Sequence, residues 1–370
     1  MTPAAAPPDW NRFASWHALP ARLLLAVLLL LLAASAVVPI VAGKSSVKTS
    51  NAFEVLVKDK SQLPERARDD DLALYDRAIA RIRKGENYYD FIAEEHRRAD
   101  YPVRPGLAVR LPTLAYFSAW TGTPGLIAAA FAILIGITLS WWRLFAEEPG
   151  GMRYRKIGMA LLLVGASLVL NRYFFVLHEQ WAGMLLALSL GLHRPGRYWG
   201  SLAVAALALA IREHSLPFVL LMGAMAFWRG DKHEGLAWSA LAALFIAALA
   251  VHLRLIAAQT LPTDPMSPSW LEFRGLSGWL SNMILSSNIR SLPHWLSGPL
   301  AVLSMLGWAS WRCRTGTFAT LFLLGYGLLF MIAGRGDNYY WGFMAAPILL
   351  TGLAFAPMGI QALLQSSRFR

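Results

Sequence analysis

Apolar runs of roughly 15 to 24 residues recur along almost the whole chain, each closed by a short break rich in Arg, Gly or Pro. Leu23–Ala42 is the first, and Gly125–Phe145, Phe174–His193, Leu236–Ala258 and Phe318–Ala333 are among those that follow. In hydrocarbon every backbone N–H and C=O must be satisfied inside the protein, so runs of this length are read as transmembrane helices. The expected fold is therefore all-α: a polytopic transmembrane helical protein of about 10 spans, with residues 1–370 as a single integral membrane domain. With 56% hydrophobic and 15% charged residues, an ordinary soluble enzyme is excluded. The net charge of +12 then reads as an orientation signal, with no nucleic acid as partner. The one cysteine, Cys313, permits no intramolecular disulfide, and no Cys/His set has zinc spacing.

The first apolar run is longer than a signal-peptide core of about 7 to 15 residues, so it is expected to stay as the first span. Residues 1–22 then form a cytoplasmic N-terminus, and residues 43–110 form the first extracytoplasmic loop. Alternation places the short basic breaks (Arg153, Arg155 and Lys156; Arg194 and Arg197; Arg312 and Arg314; Arg368 and Arg370) together on the inside. Residues 259–293 become a second extracytoplasmic loop. Leu107–Trp120, cut by Pro112, is too short to span and reads as interfacial or re-entrant. Tyr198–Ile211 and Ser215–Trp228 are also short, so Arg212-Glu213-His214 between them is expected below the outer surface, in a protein-lined cavity.

The first outer loop is where chemistry has room. Leu72, Tyr75, Ile79 and Ile82 fall at i, i+3, i+7 and i+10, one stripe of an amphipathic helix over 70–84. Asp69, Asp70 and Asp71 sit at its N-terminus, where carboxylates cap free N–H groups, and Gly85 sits where a left-handed residue would end it. Capping alone accounts for the triplet unless one carboxylate also acts chemically. Ionisable groups inside spans are costly and mark function. Arg172, Glu179, the pair Arg212 and Glu213, and Arg335 with Asp337 all fall at outer helix ends in this topology. Snorkelling or structural pairing, such as Arg212 with Glu179, explains each one singly; their convergence on one face is harder to explain that way. His178, His214 and His252 lie near the same face and read as interfacial residues.

From Asp71 the order Tyr75, Ala78, Ile82, Gly85, Tyr88, then Pro102, Arg104, Pro105, Arg110 and Pro112, resembles the first extracytoplasmic loop of GT-C class integral-membrane glycosyltransferases. Glu179-Gln180-Trp181 opening a span, Arg212-Glu213, and Asn338-Tyr339-Tyr340 before a Pro347-containing helix are similar to the later helices of that class. As departures from that class, no large soluble C-terminal domain is expected, and the acidic site is a triplet. The resemblance, to glycosyltransferase 87/39-like families, implies transfer of a sugar from a polyprenyl-phosphate donor to a glycan, lipid or protein acceptor. It also implies inversion at the sugar and a multi-pass place in a bacterial inner membrane, with membrane lipids around it and the site on the outer side.

Such a transfer needs a carboxylate to take the acceptor's proton and cations to stabilise the departing lipid phosphate. Asp71 is the first choice of base because the Tyr75 and Gly85 spacing counts from it, and Asp70 is second. Arg172, Arg212 and Arg335 are the expected phosphate-binding cations, followed by Arg104 and Arg110. Glu179, Glu213, Asp337 and Tyr75 complete the polar set. The one cofactor candidate is a divalent cation, Mg or Mn, on the aspartates, and the sequence leaves its use open. The alternative is a membrane transporter or lipid flippase using the same charges as a solute path. Against it stands the absence of matched broken helices in two related halves.

Overall fold

The computed structural model describes residues 10–41 and 70–368. Among these, the chain is helical apart from turns and three isolated bridges. In order come α1 (Ala18–Val37), α2 (Asp70–Arg83), α3 (Tyr88–Arg98), α4 (Thr113–Glu147), α5 (Gly151–Ala166), α6 (His178–Leu192), α7 (Trp199–Ile211) and α8 (Leu216–Trp228). Then follow α9 (Lys232–Gln259), α10 (Gly275–Leu285), α11 (His294–Ser310) and α12 (Arg314–Ile332). After a 3₁₀ stretch, Gly336–Met344, come α13 (Ala346–Leu349), further 3₁₀ turns, and α14 (Ala356–Ser366).

Four helical stretches are long and apolar enough to cross a membrane: Ala18–Val37, Gly106–Glu147, Lys232–Gln259 and Arg314–Ile332. The pair Ala346–Ala354 and Ala356–Ser366, bent by 50°, makes a fifth if counted as one. Several apolar helices of this kind suggest a membrane protein. The other apolar segments make shorter helices, because 3₁₀ turns at Ser167–Leu170, Arg172–Phe174 and Glu213–Ser215 interrupt them. A straight crossing takes about 20 residues, so these pieces do not span by length alone. Helix α6 is apolar nearly all round, and all its residues except Leu188 and Leu192 are buried. It is the central rod of the bundle, as expected for a helix without a polar face.

The amphipathic helix α2 begins at Asp70 and ends before Gly85, whose φ of 90° is the left-handed stop expected there. Leu72, Ile79 and Ile82 are buried and Tyr75 half-buried, and Leu74 and Ala78 are buried too, because α2 is covered on two sides. One cover is α3, which starts where the Asn87 side chain accepts from Tyr89 N–H at 3.1 Å. Glu95, buried on α3, holds Arg77 at 3.0 Å and Arg81 at 3.1 Å on α2. The two helices share an apolar cluster with Val103, Val109, Phe174, Ile256 and Phe343, which sets them as a lobe on one end of the bundle.

The piece expected to be interfacial and the second span are joined in one element, α4, broken at Gly122 (φ 63°, ψ −172°). That positive φ favours glycine. At the break Arg83 donates to the carbonyls of Ser118 (3.2 Å) and Ala119 (3.4 Å), so α2 caps the carbonyls that the break leaves free. Residues 259–293 are not loop throughout, since α10 lies within them and is largely buried. Their first half is a strap: Val103 N–H donates to Pro265 O (3.1 Å), Ser267 N–H to Arg104 O (2.7 Å), and Gly334 N–H to Trp270 O (2.7 Å). Arg97 clamps it through Asp264, whose carboxyl is held below its ordinary range mainly by that hydrogen bond.

His96 gives the lobe a pH dependence. It is 2% exposed, and its Nδ1–H donates to Pro102 O at 2.9 Å. Burial pushes its pKa from 6.5 down to about 4. Below pH 6.5 the unfolded chain binds a proton that the native ring refuses, so stability falls from pH 6.5 towards 4, by ~3 kcal/mol in all. Thermal unfolding followed at pH 7.0, 6.0 and 5.0 should therefore show a falling midpoint. His96→Asn, which keeps a donor for Pro102 O, should flatten that fall; an unchanged slope in the variant assigns the effect to other groups.

Candidate functional site

Where the α2–α3 lobe meets the bundle, five elements bring ionisable side chains together. Glu179 stands in the first turn of α6 and is wholly buried, near the helix end whose partial positive charge suits a carboxylate. Arg212 and Glu213 occupy the interruption between α7 and α8, where Arg212 leaves helical geometry (φ −146°, ψ 120°). Arg110 lies just before α4, and Tyr75 one turn into α2. The fifth contributor, Gly336–Met344, packs on α6 at Gly183, where an added Cβ would sit 2.0 Å from Phe343 O. Only glycine at 183 allows that approach, and it sets Tyr340 beside the charges.

Glu179 Oε1 lies 2.7 Å from Arg212 Nε and 3.5 Å from Arg110 Nη2. The carboxylate thus sits between two guanidinium groups, close to both by distance and aligned for a hydrogen bond with neither. Arg212 turns its Nη1 to Glu213, with which it makes a hydrogen bond. Arg110 donates through Nε to Tyr75 Oη (3.1 Å) and through Nη2 to Tyr340 Oη (3.4 Å). Asn338 Nδ2 in turn donates to Tyr340 Oη at 3.2 Å. Two arginines and two glutamates cancel formally, which is how four charges persist at this depth.

The backbone at the interruption is held as well. Tyr326, buried on α12, donates its hydroxyl to His214 O, and the His214 ring packs on Trp341 at 4.6 Å between centroids. His214 Nδ1 lies 3.9 Å from Glu213 Oε1. His178, beside Glu179, is buried with its ring 5.3 Å from that of Tyr75. Neither His178 nor His214 is a surface interfacial residue, as their position near helix ends suggested: both line the cluster. His252 belongs elsewhere, joining α9 to the lobe through Tyr89 Oη (3.1 Å) and Val109 O (3.2 Å).

Of the residues singled out in the sequence, Arg110, Arg212, Glu179, Glu213 and Tyr75 converge. Arg172 does not: it is exposed on the 3₁₀ turn before α6, and its side chain makes no ion pair among the described residues. Arg104 is spent on the strap, donating to Asp264 O at 2.8 Å. Arg335 faces Asp337 at 3.4 Å and donates to Pro268 O at 3.0 Å, so that pair belongs to the rim of the strap. Asp70 and Asp71 have their backbone in the first turn of α2, with position 71 one turn ahead of Tyr75; Asp69 lies outside the described residues. Among the described residues no group of three or more His, Cys, Asp or Glu side chains is arranged to hold a metal. In the sequence Asn338 stands out only as part of the Asn338-Tyr339-Tyr340 motif, and Trp341 is not singled out. The signal that could have raised them is their place two residues before and one after Tyr340, in a turn that closes on Arg110.

No protein-family model, curated protein or solved structure matches this chain.

A carboxylate buried between two arginines makes a sharp energetic statement. Arg212→Met leaves Glu179 with one distant cation and should lower stability by about 3 to 5 kcal/mol, whereas Arg212→Met with Glu179→Gln should recover most of it. Arg172→Ala should be nearly silent. Chemical denaturation of purified protein in detergent checks all three; a double variant no more stable than Arg212→Met would show that the two side chains are not coupled.

Proposed function

We propose that this chain is a membrane glycosyltransferase of the GT-C kind. It moves a sugar from a polyprenyl-phosphate donor to a glycan, lipid or protein acceptor on the outer face of a bacterial inner membrane. In this reading the shorter helices complete about ten passes and the α2–α3 lobe lies outside. The observation that carries it is the meeting of Arg110, Arg212, Glu179 and Glu213 with Tyr75 and Tyr340 under an amphipathic helix at one end of an apolar bundle.

The chemistry assigns roles. A lipid phosphate leaving the sugar carries growing negative charge, and a guanidinium meets it with paired donors. Arg110 and Arg212 are the cations placed for this, with Glu179 holding them until phosphate competes for their N–H groups. Arg172, Arg104 and Arg335, tied elsewhere or exposed, rank behind them. Asp71 remains the base that takes the acceptor's hydroxyl proton, with Asp70 second, because position 71 lies one turn from Tyr75 and Tyr75 touches Arg110. Attack on the anomeric carbon forms the new glycosidic bond as the carbon–phosphate-oxygen bond breaks, the proton going to the aspartate and the charge to the phosphate. One displacement inverts the centre.

The test is consumption of polyprenyl-phosphate-linked radiolabelled hexoses and pentoses by membranes carrying the full chain. Wild type should release polyprenyl phosphate, Asp71→Asn should lower the rate by roughly 10² to 10⁴ at matched protein, and Arg110→Gln should weaken donor use. Turnover by both the Asp70→Asn and Asp71→Asn variants within about threefold of wild type would move the base to Glu213 or Glu179, since general-base losses are far larger. No turnover of any donor in the panel by wild type would sink the transferase itself, and solute flux in proteoliposomes would favour the transporter.

A further inference from the structure

The opposite end of the bundle carries a different kind of charge. Helices α4 and α5 meet there through a tight turn at 148–150, and four cations cluster around it: Arg143 at the end of α4, and Arg153, Arg155 and Lys156 in the first turns of α5. Arg143, Arg153 and Lys156 are exposed. Arg155 lies over the Trp142 ring, its guanidinium carbon 3.9 Å from the ring centroid. Among the described residues none of the four pairs with a carboxylate. The two nearest in sequence are committed: Glu147 pairs with Arg194, and Glu148 takes Arg314 at 3.0 Å and the Thr315 hydroxyl at 2.6 Å. Among the described residues this turn therefore has four positive charges left uncompensated, unlike the outer cluster, where arginines and glutamates cancel.

Apolar surface leads up to these charges. Phe131, Ile135, Leu139 and Trp142 on α4 are all exposed, and their spacing of i, i+4, i+8 and i+11 puts them on one stripe. At ~1.5 Å per residue the stripe is about 16 Å long, close to the ~15 Å depth of one leaflet's hydrocarbon. On α5, Met152 and Ile157 are exposed among the cations. A soluble anion would have use for the cations and none for the stripe. A phospholipid has use for both.

We infer that the α4–α5 turn is a docking surface for an anionic diacyl phospholipid of the leaflet opposite the α2–α3 lobe. The headgroup phosphate meets Arg155 beside Trp142, with Arg143, Arg153 and Lys156 adding positive charge around it, and an acyl chain runs along Phe131, Ile135, Leu139 and Trp142. Arg155 is fixed for the phosphate by its stacking on Trp142, which is an interfacial position for an indole. The inference stands on the chain being a membrane protein and is independent of what reaction, if any, the outer cluster performs.

The experiment uses the full chain in detergent with added dioleoyl-phosphatidylglycerol or dioleoyl-phosphatidylcholine, read by native mass spectrometry for retained lipid and by the thermal midpoint. Wild type should retain phosphatidylglycerol in preference to phosphatidylcholine. Each charge removed should weaken that preference about fivefold, the fold-change equivalent of ~1 kcal/mol per basic residue near an anionic surface. The variant R143Q/R153Q/R155Q/K156Q should lose it, and R143K/R153K/R155K, which keeps the charge, should retain most of it. If the Gln variant fails to fold, wild type alone decides, because the preference must shrink as salt rises from about 0.05 to 0.5 M. Equal retention of the two lipids, a preference unmoved by salt, or one kept by the Gln variant overturns the inference. So does full displacement of the lipid by millimolar inorganic phosphate, which would make this a soluble-anion site.

Discussion

The contact that the α2–α3 end of the molecule depends on is Glu179 between Arg212 and Arg110. A lone carboxylate with no exposed surface costs several kcal/mol, and so does a lone buried guanidinium, so each is tolerated only because the others are there. That requirement explains geometry which otherwise looks like a collection of defects. Helices α7 and α8 are interrupted so that Arg212 can reach α6; residues 336–344 take a tight 3₁₀ path so that Tyr340 can reach Arg110; and the α2–α3 lobe brings in Tyr75.

Each interruption exposes backbone that must find partners inside the bundle. His214 O is met by Tyr326 from α12, and the break at Gly122 is met by Arg83 from α2. The same elements that carry the polar cluster are therefore cross-braced by elements that do not. Such bracing keeps the guanidinium groups in place, since a long side chain rooted in a loose loop would lose that geometry to its own entropy. The strap at 260–274 adds a further brace, pinned at one end to α3 by Arg97 and Asp264 and at the other to residues 331–335.

The parts legible in the sequence were those with a period. Helix α2 is read almost to the residue, because its stripe, its acidic start and Gly85 agree. The short α7 and α8 and the charged joint between them are also visible, since a 13-residue apolar run flanked by Arg-Glu-His has few other readings. Burial was the part that could not be seen. Hydropathy gives α6 and α9 similar scores, yet α6 is enclosed while α9 leaves Leu236, Leu244, Ile246 and Val251 exposed. Nothing in local pattern says which apolar helix is the rod and which the wall. Position near an outer helix end does not by itself separate the cations, for the same reason. Arg172 and Arg212 are both one step outside an apolar run, and only packing decides that one faces outward and the other faces Glu179.

The two ends of the bundle also differ in how their charge is handled, and the difference follows from α6. Its first turn carries Glu179, and at its far end His193 meets the buried Glu234 at 2.7 Å, with Arg229 also on Glu234 at 3.0 Å. Charges that touch the rod are neutralised at both ends, because the rod is surrounded by protein and has no water or lipid headgroup to draw on. Around the α4–α5 turn the four cations are exposed or half-buried, and among the described residues they stay unpaired. At α6, pairing among the described residues thus follows from enclosure and not from the number of charges nearby. It separates arginines that the protein needs for itself from those it leaves for whatever surrounds it.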